Sequence, residues 1–169
     1  MALFRKTSGN YFVAHNATIT GDVTIGELSS LWFNSVVRGD VAPVSIGRRV
    51  NVQDGVVVHC DTDVPNTIED DVTIGHGAIV HGVHVGSGTL IGMGSTLLSR
   101  TRVGSECLIA AGAVLPPGLV VPDRMVAMGV PAKVVRPVSE EDFKYMRWLT
   151  EHYVELAQKY ISGEFQRSE

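Results

Sequence analysis

Branched aliphatic residues return at every sixth position through most of this chain. The series opens with Val13, Ile19, Ile25, Leu31 and Val37, steps nine residues to Ile46, and continues through Val52 and Val58. It then steps ten residues to Ile68, runs on through Ile74 and Val80, and meets Val85 one residue early. Ile91, Leu97, Val103, Ile109, Leu115 and Val121 close it in regular order. A helix face repeats every 3.6 residues and a strand face every two, so neither accounts for the series. A constant six-residue period marks a parallel β-helix of hexapeptide repeats, in which each aliphatic fills the interior of a coil. The fourth place after the aliphatic is small or β-branched, as at Ser29, Ala78, Thr89, Ser95 and Ala113, which suits a tight corner with little room. The two long steps predict insertions: a small bulge or loop at residues 40–43, and a turn-rich loop over CDTDVPNT, residues 60–67.

Hexapeptide-repeat proteins are known for a three-sided, left-handed coil, and the resemblance implies that shape here. It is an exception to the right-handed rule for parallel crossovers, which periodicity alone does not reveal. With three hexapeptides per turn, every third aliphatic lies on the same face, one rung further along. The chain thus divides into a lead-in at residues 1–12, a coil at 13–135, and a C-terminal helix packed on the coil, with a tail, at 136–169. The fold class is all-β with a C-terminal α-helix. Residues 1–11 read as polar and irregular, a lead-in strand or arm. GVPAK, residues 129–133, resembles the exit of many hexapeptide proteins, where the chain leaves the coil. Ser139 with Asp142 three residues on predicts a capped helix start, with Glu140 and Glu141 suited to the first turn. Phe143, Met146, Leu149, Tyr153, Leu156 and Tyr160 recur at threes and fours, an apolar stripe ending near Gly163. GEFQRSE, residues 163–169, reads as a frayed tail.

Composition narrows the function classes. The 169 residues fit one domain with a real core. With 14 Lys plus Arg against 18 Asp plus Glu, a net charge of −4 and no basic run, nucleic acid is not a primary partner. No stretch of 18 apolar residues could span a membrane, and the N-terminus lacks the apolar core of a signal peptide. Two cysteines, Cys60 and Cys107, make a poor disulfide framework, so a reducing, cytoplasmic compartment is expected.

Chemistry concentrates in residues 51–86, which hold four of the six histidines: His59, His76, His81 and His84. Val37, Val58 and Val80 share one face, so the residues that follow them, Arg38, His59 and His81, point outward in a stack of roughly 4.8 Å per rung. Two imidazoles at that spacing can share one metal ion. His76 lies two places after Ile74 on the preceding face, with Asp54 directly below it and Gln53 on the same face. His76 and His81 are separated across a corner, too far to bind one ion within a chain. If His76 is a ligand, it comes from a neighbouring subunit, and a closed threefold ring would supply it. Three neutral imidazoles with an open fourth position is the arrangement of catalytic zinc. A single histidine on a strand is more often structural than a ligand; three in this register reverse that reading. His84 matches no register, while His15 and His152 read as solvent-facing or structural. Cys60 adjoins His59 but points away from it, and Cys107 fills a small corner slot. Arg38 and Asp54 read as ordinary surface charges or as an interface pair.

Three stretches, VRGD at residues 37–40, NVQDGVVVH at 51–59 and IGHGAIVHG at 74–82, resemble the γ-class carbonic anhydrases and their bacterial relatives. The resemblance runs from about Val13 to Lys133, with a terminal helix as in the family. It implies zinc, with iron(II) or cobalt(II) as alternatives, ligated by His59 and His81 of one chain and His76 of the next in a homotrimer. Gln53 would hydrogen-bond the zinc-bound hydroxide. Arg38 and Asp54 would form an intersubunit ion pair, with Asp40 orienting it, and the family's tyrosine near the site matches Tyr153. The family's acidic loop and its proposed proton-shuttling glutamates are not kept: Val41 follows Asp40, and the loop after His59 offers only Asp61 and Asp63.

Three function classes follow. The first is a carbonic anhydrase-like lyase, hydrating carbon dioxide to bicarbonate through metal-activated water. The second is acyl transfer or thioester hydrolysis, supported by fold analogy alone. The third is a non-catalytic, metal-holding assembly subunit.

Overall fold

The structure, a computed structural model, describes residues 2–165. The six-residue period becomes three faces of a parallel β-solenoid. On the first face, Val13 of Phe12–Ala14 pairs with Leu31, Leu31 with Val52, Val52 with Ile74, Ile74 with Ile91, and Ile91 with Ile109, all in parallel register. The second face stacks Val37, Val58, Val80, Leu97 and Leu115, and the third Ile46, Ile68, Val85, Val103 and Val121. The interior aliphatics from Leu31 to Val121 form one continuous buried core. Ile19 and Ile25, counted as inward, are only partly buried because they belong to the first turn, at the end of the coil.

Both predicted insertions are present. The first is a single long strand, Val36–Ile46, whose pairing with Thr18–Ile25 jumps from Gly39 to Val44. Residues 40–43 therefore bulge outward without breaking the strand. The second, residues 60–65, is a loop between Val57–Val58 and Asn66–Ile68. Just after His81 the coil tightens: Val80 and Val85 are five residues apart because Gly82 turns the chain where no side chain fits. A Cβ there would lie 2.5 Å from Thr101 Oγ1 and 2.9 Å from its carbonyl oxygen.

The lead-in contains the expected strand, and it is anchored by an apolar residue. Phe4–Lys6 pairs antiparallel with Phe12–Ala14, and Phe4 is buried against Trp32, Phe33 and Tyr160. At the other end Met125–Gly129 pairs antiparallel with Ala132–Pro137, so GVPAK is the turn of a hairpin leaving the coil. The helix Glu140–Ser162 then runs back over the first face. Its buried line is Phe143, Met146, Thr150 and Ala157, while Leu149, Tyr153, Leu156 and Tyr160 are only partly covered. The expected stripe is rotated because small residues at the centre of contact let the helix approach closely. Thr150 even donates its hydroxyl to the Asp71 carbonyl. Gly163 caps the helix in the left-handed conformation, and the tail residues 166–169 lie outside the described residues.

The helix start is a complete capping box. Asp142 N–H donates to Ser139 Oγ, Ser139 N–H donates to Asp142 Oδ2, and Arg136 adds an ion pair at 2.7 Å. The Arg136 hydrogen bond, with those from Ser139, holds the Asp142 carboxyl well below its ordinary value of 3.8. A carboxyl lowered on folding stabilises above its unfolded value and loses that contribution as pH falls. Asp142→Asn is therefore expected to lower stability by about 1 kcal/mol at neutral pH, the typical value of a cap. The deficit should shrink below about pH 4. Urea denaturation at pH 7 and pH 3 measures both.

Candidate metal centre

The two insertions give the second face its chemistry. His59 and His81 follow paired strands, so their rings stack with centroids 5.3 Å apart and a tilt of 42°. The residue 40–43 bulge places Asp40 Oδ1 3.1 Å from His59 Nε2, and the 60–65 loop places Asp61 Oδ1 3.0 Å from His81 Nε2. Arg38 clamps Asp40 through Nη1 at 2.6 Å and 2.8 Å, and its Nη2 stands 3.4 Å from His59 Nδ1. A guanidinium only donates, so His59 presents its lone pair to Arg38 and its ring hydrogen to Asp40. Ser99 Oγ donates to the same Asp61 oxygen at 3.1 Å. The Arg38 hydrogen bond lowers the Asp40 pKa, and those from His81 and then Ser99 lower that of Asp61.

A second cluster lies on the corner beyond the first face. Asp54 Oδ2 stands 2.8 Å from His76 Nδ1, and the Tyr153 hydroxyl 3.3 Å from His76 Nε2. The backbone beneath is fixed by a buried polar ladder. His76 N–H donates to Gln53 Oε1, Gln53 Nε2 to Asn51 Oδ1, and Asn51 Nδ2 to Thr73 Oγ1, at 3.1, 3.0 and 2.8 Å. A carboxylate on Nδ1 fixes the tautomer and leaves the Nε2 lone pair for a ligand, the arrangement typical of metal-binding histidines. Burial, with the Asp54 charge adding, pushes the Tyr153 hydroxyl up to about 12, so it stays protonated.

The structure thus gathers Arg38, Asp40, His59 and His81 in one cluster and Gln53, Asp54, His76 and Tyr153 in another. Within the chain Arg38 pairs with Asp40 and Asp54 with His76, so Arg38 and Asp54 do not pair with each other here. Among the described residues, no three His, Cys, Asp or Glu side chains converge on a point that would hold a metal ion. The donor types suit zinc, three imidazoles each with a carboxylate on one ring nitrogen, but the remaining nitrogen of His59 faces Arg38, so His59 would take an ion only once Arg38 turns away. Asn51 and Ser99 drew no notice in the sequence. Asn51 had a signal, since it stands two residues before Gln53 on the same side of the strand, whereas Ser99 meets Asp61 only through the loop. Cys60 is buried and donates to the Ala42 carbonyl, turned from His59, and burial raises its pKa. Cys107 is also buried. His84 faces Glu69 at 3.8 Å on the third face, and His15 packs edge-on against Phe33. Asp63 is an exposed turn residue with φ 60°.

The family described as the hexapeptide repeat of succinyl-transferase matches residues 65–99. A carbonic anhydrase of Geobacillus kaustophilus is 48% identical over 163 residues, spanning 96% of this chain and 90% of its own length. The chain belongs to the γ-class carbonic anhydrase-like family. A second member, named a probable carbonic anhydrase in Methanocaldococcus jannaschii, is 42% identical over 151 residues, covering 89% of this chain and 95% of that one. The fold extends to transferase-named proteins: a hexapeptide transferase family protein from Anaplasma phagocytophilum superposes with a TM-score of 0.85 at 36% identity, covering 90% of both chains. No helix among the described residues is long and apolar enough to cross a membrane.

The two clusters of this γ-class-like chain make a direct test. His76→Ala is expected to abolish tight zinc binding, and His84→Ala to leave it intact; affinity should fall in acid as the imidazoles protonate. Chelator competition on both variants reads the difference. Equal retention of zinc would remove His76 from the ligand set.

Proposed function

We propose that this chain is a γ-carbonic anhydrase-like zinc enzyme hydrating carbon dioxide to bicarbonate in the cytoplasm, at interfaces between copies of itself. One observation carries the reading: His76, its Nδ1 held by Asp54, stands on a different face from the His59–His81 pair. A closed threefold ring sets one face of each copy against another face of the next. His76 of one copy then completes the pair on its neighbour, giving three sites per trimer. Iron(II) or cobalt(II) would suit the same nitrogen donors.

When bound, the metal supplies Lewis acidity and a nucleophile from water at neutral pH. The protein supplies geometry. Asp54 orients His76, Arg38 and Asp40 hold the His59 ring, and Gln53 keeps its amide fixed through Asn51 with one N–H left for the water. Once copies assemble, Arg38 would exchange Asp40 for Asp54 of the next chain to make the interface pair.

Acyl chemistry has weaker support. Transferase-named relatives share the fold, but Ser99 donates to Asp61. The hydroxyl–imidazole contact at the site, Tyr153 to His76, involves a phenol that stays protonated and not an activated nucleophile. A metal-holding, non-catalytic subunit is the alternative that turnover decides.

Two outcomes are expected. Light scattering and metal analysis should find a trimer with about one zinc per chain. Arg38→Ala should shift it toward monomers: if assembly buries the Arg38–Asp54 pair, removing one partner costs about 3–5 kcal/mol. An unchanged trimer would leave Arg38 as a surface charge.

Turnover should also be limited by proton removal. Among the groups that touch the ligand histidines, Asp40 and Asp61 are lowered and Tyr153 is raised; these do not match a neutral working pH, so the proton must travel beyond them to leave. Stopped-flow hydration should therefore speed up with imidazole buffer concentration and with Val41→Glu. A zinc-loaded trimer inert in every buffer would select the non-catalytic or acyl readings.

A further inference from the structure

The rim of the site carries an imidazole that the ligand set does not use. His152 lies half-buried on the helix, stacked on Trp148 with ring centroids 4.9 Å apart and an angle of 17°, and set edge-on to Tyr153 at 5.8 Å. Tyr145 extends the stack, 6.0 Å beyond Trp148. Both outer rings are about half exposed, Tyr145 at 52% and Trp148 at 51%, so the row opens to solvent. Its inner end is Tyr153, whose hydroxyl stands 3.3 Å from His76 Nε2. The row thus runs from the candidate centre towards the surface, and its one imidazole is His152.

We infer that His152 is the proton-relay residue of this site, taking up the proton that hydration releases and handing it to solvent. The inference rests on the hydration reading above. The Tyr153 hydroxyl stays protonated and cannot keep the proton; it passes one on only as it accepts another. The carboxylates of Asp40 and Asp61 are held by Arg38 and by His81, on the other cluster. A ring nitrogen of His152 accepts the proton with its lone pair, forming an N–H bond, and breaks that bond in giving the proton to water or buffer. The ring returns to its starting form, so nothing in the chain is consumed. The rings it touches are Trp148 and Tyr153 on its own helix, and His76 with Asp54 on the coil lie beyond Tyr153. Stacking on Trp148 keeps the ring beside Tyr153, so His152 is placed by packing.

The test uses the zinc-loaded full chain with His152→Ala and His152→Phe, the latter keeping an aromatic ring against Trp148. At low buffer both variants should lose maximal turnover on the order of 10-fold or more, less than the full effect of a positioned acid–base group because solvent remains a slower route. kcat/KM and zinc content should be unchanged, and imidazole buffer should restore the rate. Proton NMR gives a readout without turnover: adding zinc to the metal-free protein should lower the titration midpoint of the His152 ring, since a nearby dication disfavours its charged form. Recovery by His152→Phe at low buffer would mean the ring only packs, and wild-type rates in both variants would overturn the relay. So would a His152 titration blind to zinc. A wild type inert in every buffer would instead fail the hydration reading, with the NMR response still reporting whether His152 senses the metal.

Discussion

Everything in this molecule hangs on the spacing of its rungs. Parallel pairing holds successive turns about 4.8 Å apart, and one aliphatic per side fills each turn, as Val58, Val80 and Leu97 do on the second face. The interior is a continuous, close-packed cluster, so a residue cannot shift without moving its neighbours above and below. That rigidity is what brings the His59 and His81 rings within 5.3 Å of each other. Neither side chain needs a partner to choose its height along the coil. The ladder has already fixed it.

The coil alone would present bare imidazoles to solvent. The departures from its period supply their surroundings. A bulge on one rung and a loop on the next deliver Asp40 and Asp61, each to a ring nitrogen. The tight step at Gly82 closes the turn directly after His81. Insertions are tolerated there because they leave the coil outward and the interior column resumes at Ile46 and Ile68. Chemistry therefore gathers where the repeat is broken, and stability where it is kept.

The helix joins the two concerns. It buries Phe143 and Met146 at one end and Ala157 near the other, and this packing holds Tyr153 against Trp32 and over His76. The same helix sets His152 beside it. A ligand-bearing corner, a buried amide ladder under it and an aromatic row above it thus belong to one rigid body. The His59–His81 pair belongs to another face of the same coil, which is why a shared ion calls for a second copy.

The sequence by itself determined the repeat, both insertions and the helix cap, and, with the three sides that the family resemblance implied, the stacking of His59 on His81. Each depends on local spacing, and a strict period turns spacing into position. It also singled out His76 and Asp54 as neighbours, since residues one turn apart must lie above one another. Tertiary structure decided what crosses between elements. On the helix, Thr150 and Ala157 are buried more deeply than Leu149 or Leu156, because only the packed structure decides which side lies nearest the coil. Phe4 became core because Trp32 and Tyr160 arrive beside it from distant parts of the chain. Arg38 chose Asp40, two residues away, and Asp54 chose His76, because within one chain those are the charges in reach. Ser99 and Asn51 entered the site through contacts set by a loop and a ladder, where hydrogen-bond geometry, and not sequence spacing, decides the partner.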